Sequence, residues 1–365
     1  VYYDFKEVSV EGRYVTLSHL MQKWLPNLPP ENVNEIGTSE HGRTIHSVTL
    51  GKGNKKILMW SQMHGNESTT TKAVLDLVNF LNSNNATSKS ILENCQLTIL
   101  PMLNPDGAEA YTRVNGNAVD LNRDAQKRSQ KETSILWSTF KSVKPDFCFN
   151  LHDQRTLFNV GNTDKVATVS FLSPASDSAR SLTESRMKAM KLIVGMNRRL
   201  QQDIPGHVGR YDDAFNANCI GDSFQMEKVP TVLFEAGHFL NDYQREETRK
   251  LIFLALTEAL EIISSNCLDD FDVSEYTMIP ENNKSFFDVL VKNADVVNPN
   301  IESGHSVGFR YDEILKDKTI QFHPKIAEVG MLKDFYGHLE LDLRNPKDFN
   351  KLSEHKEILN VLVQI

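Results

Sequence analysis

The chain has 365 residues, 40% of them hydrophobic and 24% charged, with a formal net charge of -8. That is the composition of a globular protein with one large domain and a smaller one, and it excludes a disordered or fibrous chain. The acidic balance argues against nonspecific binding to nucleic acid or to an anionic membrane surface.

The N-terminal stretch "VYYDFKEVSVEGRYV" has acids among its apolar residues and lacks the basic-then-apolar pattern of a signal peptide. No apolar run approaches the roughly 18 residues that span a bilayer. Cys95, Cys148, Cys219 and Cys267 are scattered, without a Cys-x-x-Cys pair, and read as free thiols of a reducing compartment. The expected location is therefore the cytoplasm.

Helical spacing in "TLSHLMQKWL" (16–25) stops before "PNLPP". Strand-like runs follow at 44–50, 56–62, 96–102, 146–151, 166–172 and 230–237, with helical patterns at 68–82, 129–142, 178–203 and 243–264. Strands alternating with helices predict an α/β domain over 1–267 with a largely buried sheet. After about residue 268 acids give way to short β-type runs such as "HSVGFRYDEI", "KTIQFHP" and "GHLELDL". These predict a small β-rich domain over 268–365.

In α/β sheets the ligand site lies at the carboxyl ends of the strands. Four polar clusters fall there: His64 after 56–62, Asn104-Pro105-Asp106-Gly107 after 96–102, His152 after 146–151, and Glu235 closing 230–234. A catalytic zinc usually has three protein ligands and an open position. His64 and Glu67 would supply two from the "HGNE" turn, where Gly65 permits a tight backbone, and His152 would supply the third. Asp120 is placed to accept a hydrogen bond from the non-ligating nitrogen of a ligand histidine. Arg113 and Arg123 are cations near this edge, and a planar guanidinium suits a carboxylate; Asn122 adds an amide donor. Glu235 ends a strongly apolar run, where an acid is costly to bury unless it acts, and general base is the expected role. His238 is a rival ligand, with a rim role preferred.

With "HGNE", "NPDG", "VDLNR", "LH" after an apolar strand, and "FEAG" in this order, residues 35–265 resemble the zinc carboxypeptidases, also called funnelins. The resemblance implies a mixed, roughly eight-stranded sheet with helices on both faces. It implies one zinc ion on His64, Glu67 and His152, with Arg113 stabilising the oxyanion. Asn122 and Arg123 would grip the terminal carboxylate, and Glu235 would be general base and acid. Tyr211 matches the family's mobile tyrosine. Asp222 matches an aspartate at the floor of the specificity pocket, with Gly221 before it offering no charge to read. One departure is Asp124-Ala125 after "DLNR", where Asn-Phe is common. An acid beside the carboxylate clamp would repel a simple C-terminal substrate or favour one bearing an amine.

The expected function is removal of C-terminal residues from short peptides. "HGNE" and "DLNR" also occur in the aspartoacylase and succinylglutamate desuccinylase group, which hydrolyses N-acyl amino acids and carries a C-terminal β domain. "NPDG" favours the peptidases and the β-rich tail the deacylases. A zinc-free carboxylate-binding module is the third reading. No nucleic-acid or membrane partner is expected, and side-chain preference and oligomeric state are left open.

Overall fold

The structure is a computed structural model that describes residues 2–364. In chain order the first unit contains α1 (Leu17–His19), β1 (Val33–Thr38), β2 (Thr44–Leu50), β3 (Lys55–Ser61), α2 (Thr69–Leu81), α3 (Ala86–Asn94) and β4 (Cys95–Leu100). These are followed by α4 (Pro105–Ala110), α5 (Lys131–Val143) and β5 (Phe147–Asp153). Next come β6 (Asn159–Val160), which belongs to the second unit, and β7 (Val169–Leu172), α6 (Glu184–Leu200), β8 (Val208–Arg210) and α7 (Ile220–Met226). β9 (Thr231–Ala236), α8 (Glu246–Ser264) and α9 (Val273–Met278) complete the first unit, and β10 (Asn282–Asn283) marks the crossing into the second.

Eight strands form one mixed sheet in the order β1-β2-β4-β3-β5-β9-β7-β8. Its centre, β4-β3-β5-β9, is parallel, and β2 and β7 flank it antiparallel. Both faces are covered because the central strands are apolar on both sides. Ile57, Met59, Phe149, Leu151, Val232 and Phe234 pack with α2, α6 and α8 on one face. The alternate residues Leu58, Trp60 and Cys148 pack with Leu136, Trp137 and Phe140 of α5 and Ile220 and Phe224 of α7 on the other. This is the α/β architecture expected from the pattern and from the resemblance. No helix among the described residues is long and apolar enough to cross a membrane.

The ends of β3 and β4 are locked together by backbone. A Cβ at Gly65 would lie 1.9 Å from Gly107 C and 2.2 Å from Ala108 N, so only glycine fits. Asn104 reinforces the contact: its side chain accepts Gly107 N–H at 2.8 Å, capping α4, and donates to Met63 O at 3.1 Å. α2 starts just beyond the "HGNE" turn and is buried nearly all round, including Lys72 and Asp76. Arg249 of α8 grips Asp76 through two bonds of 2.7 and 2.6 Å, and Lys72 meets Glu246 at 2.5 Å.

The second unit comprises Arg155–Val166 and the chain from Asn283 onward. Its sheet has the order β13-β12-β11-β14, from β11 (Phe286–Lys292), β12 (Ser306–Lys316), β13 (Thr319–Gly330) and β14 (Tyr336–Asp342). Two short helices follow, α10 (Pro346–Leu352) and α11 (Lys356–Leu362). The single boundary read at 267/268 is corrected. The first unit runs to Asn282, because Tyr276 and Ile279 are buried in its core and Ser173 N–H donates to the Tyr276 hydroxyl at 3.1 Å. The acids at 269–275 are the solvated face of this segment rather than a linker. The excursion 155–166 carried no compositional signal.

Gly65→Ala should lower the unfolding free energy by about 1–3 kcal/mol and disturb the loop that follows β3. Gly330→Ala, where nothing lies within 4 Å of an added Cβ, should be near neutral in the same urea titration.

Candidate metal and substrate site

β3 ends at Ser61, and Gln62 turns the chain at φ 49°. The Gln62 amide donates to Gly65 O at 2.9 Å and Val15 O at 2.8 Å, and Glu67 N–H closes the turn on His64 O at 3.1 Å. His64 Nδ1 thereby meets Glu67 Oε1 at 2.8 Å. β5 lies beside β3 in parallel register, Ser61 opposite Leu151, so His152 emerges next to this turn. His152 Nδ1 is 3.1 Å from His64 Nδ1 and 2.9 Å from Glu67 Oε2. One donor atom from each of the three lies within 4.8 Å of the others, and all three residues are buried. Three lone-pair donors converging this closely, out of water, suit a divalent cation. Each is a usual zinc ligand.

The surroundings orient the donors. His64 Nε2 lies 3.1 Å from Asp120 Oδ1, a pairing that leaves Nδ1 free to ligate. Arg113 Nε donates to the other Asp120 oxygen at 3.0 Å, and its Nη1 reaches Glu67 Oε1 at 3.3 Å. Asp153 N–H donates to Glu67 Oε2 at 3.2 Å, while the Asp153 carboxylate accepts Thr69 N–H at 2.8 Å and Thr70 N–H at 3.2 Å, capping α2. Burial alone would raise the Glu67 carboxyl, but the two imidazoles overcome it and hold it well below the usual carboxylate range. Burial also opposes ionisation of Asp120, yet His64 and Arg113 hold it low.

Glu235 sits beside His152 across the β5–β9 register and beside Ser170 on β7, so it shares a sheet face with His152. Its Oε2 is buried without a hydrogen-bond partner. Burial pushes this carboxyl well above its ordinary value, and the negative Glu67 and Asp153 add to the effect. Buried Arg245 ties the strand ends that carry His152 and Glu235, donating to Ala236 O at 2.7 Å and Gln154 O at 2.9 Å. His238 lies outside the three-donor group, its ring 4.7 Å from that of Tyr243.

Asn122 N–H donates to Asp120 Oδ1 at 2.9 Å, and Asn122 Oδ1 accepts Ile220 N–H at 3.0 Å, so the group it offers a ligand is its NH2. Arg123 is exposed and braced on Asn122 O at 2.8 Å and Cys219 Sγ at 3.2 Å. Asp124 corrects one expectation. It is buried and turned into its own loop, accepting from Ser129 N and Oγ at 3.0 and 2.7 Å and from Gln130 N at 3.0 Å. It therefore adds no acid to the clamp.

Tyr211 follows β8, its N–H bonded to Phe171 O at 3.0 Å. Burial and then the charges of Glu235 and Glu67 raise its phenol. Asp222 lies in the first turn of α7, mostly buried, and accepts Asn216 N–H at 3.1 Å. Sequence reasoning passed over Asn150, two residues before His152 on the same face of β5; its only signal was an amide inside "FCFNL".

Burial pushes Asp222 up from 3.8 to about 6. Folding thus favours its protonated form: this contribution is complete below 3.8 and lost as the pH rises through about 6. Asp222→Asn should exceed the wild type in stability at pH 8 by up to about 3 kcal/mol and match it at pH 3.5, by urea unfolding.

A sequence model of the zinc carboxypeptidase family matches residues 22–142. A zinc carboxypeptidase from Simulium vittatum is 35% identical over 142 residues, 37% of this chain and 40% of that protein. Carboxypeptidase B from Astacus astacus is 33% identical over 119 residues, 30% of this chain and 35% of that protein. Probable carboxypeptidase 2 from Trichophyton verrucosum is 28% identical over 135 residues, 34% of this chain and 25% of that protein. The matched stretches span less than half the length of these relatives. Among solved structures, a metallo-carboxypeptidase from Burkholderia cenocepacia matches 68% of each chain with a TM-score of 0.54 at 18% identity. Carboxypeptidase A from Helicoverpa armigera matches 70% of this chain and 74% of its own with a TM-score of 0.53 at 16% identity. At these identities the structural likeness speaks for the fold. Motif order, the family match over residues 22–142 and the sheet topology all resemble those of the zinc carboxypeptidases.

Proposed function

We propose that the first unit is a zinc-dependent carboxypeptidase that hydrolyses the amide bond next to the free carboxylate of a short peptide. The observation that carries this reading is the unpartnered, buried Glu235 oxygen on the same sheet face as the His64–Glu67–His152 group. Zinc held by those three residues would supply a Lewis acid and lower the pKa of water toward neutrality.

Glu235, its carboxyl destabilised as an anion by burial, accepts the proton of the attacking water and returns it to the leaving amine. Arg113, half exposed and braced on Asp120 and Glu67, directs its guanidinium at the developing oxyanion. The Asn122 NH2 and the Arg123 guanidinium hold the substrate carboxylate and set which bond is cut. Tyr211 closes over the bound peptide. The β-rich second unit favours N-acyl amino acids as a second substrate class.

Glu235→Gln should reduce turnover by at least about a thousandfold while leaving the zinc content of the purified protein intact. His64→Ala should lose the zinc. Both contents are measured by elemental analysis. Loss of zinc from Glu235→Gln would overturn its role as base. A panel of dipeptides against N-acetyl and N-succinyl amino acids separates the substrate classes: turnover of the acylated amino acids alone would defeat the peptidase reading.

A further inference from the structure

We infer that Asn150 reads the side chain of the residue being released and selects one that ends in a carboxamide, glutamine or asparagine. The inference rests on the carboxypeptidase reading and deepens it.

Along β5 the residues 148, 150 and 152 share one face, while Phe149 and Leu151 enter the apolar core on the other. Asn150 therefore sits one step below His152. By register its neighbours are Trp60 on β3 and Leu233 on β9, with Leu172 beyond Leu233. The row above it is His152, Glu235 and Ser170. A reacting carbonyl near His152 and Glu235 thus has the Asn150 row directly beneath it.

The clamp for the terminal carboxylate reaches the same place. Asn122 accepts Ile220 N–H, and the next residue, Gly221, lies over Asn150: an added Cβ there would be 3.7 Å from Asn150 Nδ2 and 3.0 Å from Pro174 Cγ. One residue of α7 therefore separates the carboxylate clamp from the Asn150 amide. Clamp and scissile bond together bracket the terminal residue, so its side chain meets this row.

Asn150 is 2% exposed, and its Oδ1 is buried without a hydrogen-bond partner. Buried polar groups nearly always have one, so an orphan beside a substrate site calls for a ligand. Leu233 and Leu172 cannot serve it. The indole Nε1 of Trp60 in the same row is also unpartnered, so an unmatched donor accompanies the unmatched acceptor. The row contains no ionised side chain. A carboxamide is neutral and carries both an acceptor and donors, which complements the row. An aliphatic side chain would leave both groups unpaired.

The test uses the zinc-loaded full chain and N-blocked dipeptides ending in glutamine, asparagine, leucine, phenylalanine, lysine or glutamate. The expected kcat/KM favours glutamine or asparagine by at least about tenfold over the others. Asn150→Leu, similar in size, should reverse the glutamine-to-leucine ratio with zinc content unchanged, and Asn150→Ser should narrow it. A wild-type preference for leucine, phenylalanine, lysine or glutamate would overturn the inference, as would a uniform loss on all substrates in both variants. The wild-type panel decides the matter even where a variant fails to fold. If no dipeptide is cleaved, the peptidase reading fails. Calorimetric titration with free L-glutamine and L-leucine then still decides the pocket, since equal binding would overturn it and tighter L-glutamine binding would support it.

Discussion

Glu67 is a carboxylate taken out of water, and its ionisation must be compensated where it stands. Two imidazoles, one guanidinium and one backbone N–H meet its two oxygens. They come from three segments, the turn after β3, the loop that carries Arg113 and the end of β5, so the anion is stable only when all three are in place together. A half-compensated buried charge costs several kcal/mol, which makes this cluster a strict condition on the fold around it. A cation bound by the same oxygens and nitrogens would meet the same condition.

The means of assembly are the strand register and a few side chains that bind the backbone around the cluster. Parallel register places the ends of β3 and β5 side by side, and β9 continues the series with Glu235. The Gly65–Gly107 approach holds the turn after β3 against the loop after β4. Asp153 serves two elements, its N–H on Glu67 and its carboxylate on the first N–H groups of α2, so the ligand turn and the helix behind it move as one. Arg245 joins the β5 and β9 ends from behind, and its charge opposes the rise of the Glu235 carboxyl. The N-terminal segment contributes too: Val15 O accepts from Gln62 and Arg13 O from Ser68, on either side of the metal ligands.

The substrate side is built differently. The Asp120–Asn122–Arg123 stretch is exposed at its tip and braced on the N-terminal end of α7 through Ile220 and Cys219. α7 also brings Gly221 over Asn150 and Asp222 onto Asn216. Asn122 and Asn150 therefore meet adjacent residues at the start of one short helix, which is placed by the packing of Phe224 and Ile220 on Trp60 and Cys148. A change in that packing would shift both contacts without touching His64, Glu67 or His152.

The six strand runs were legible as short apolar stretches and the long helices by apolar residues recurring at 3.6 residues, both purely local signals. The edge strand β1, three-residue β8 and the short helices α7 and α9 were not, since each is too short or too exposed to show an apolar period. The His64–Glu67–His152 group and Glu235 could be picked out because strand ends collect polar residues in this class of sheet, and a histidine or acid closing an apolar run stands out against its neighbours. Asn150 could not, because an amide inside a strand acquires meaning only from what crosses over it. Asp124 misled for the same reason: adjacency to the clamp in sequence says nothing of the direction in which a carboxylate points. The amino-acid order by itself determined the central strands, the long helices and which strand ends bear histidines and acids. Tertiary structure alone decided which side chains share a face, where each buried charge finds its partner and where the chain passes between its two units, because these depend on contacts between residues far apart in sequence.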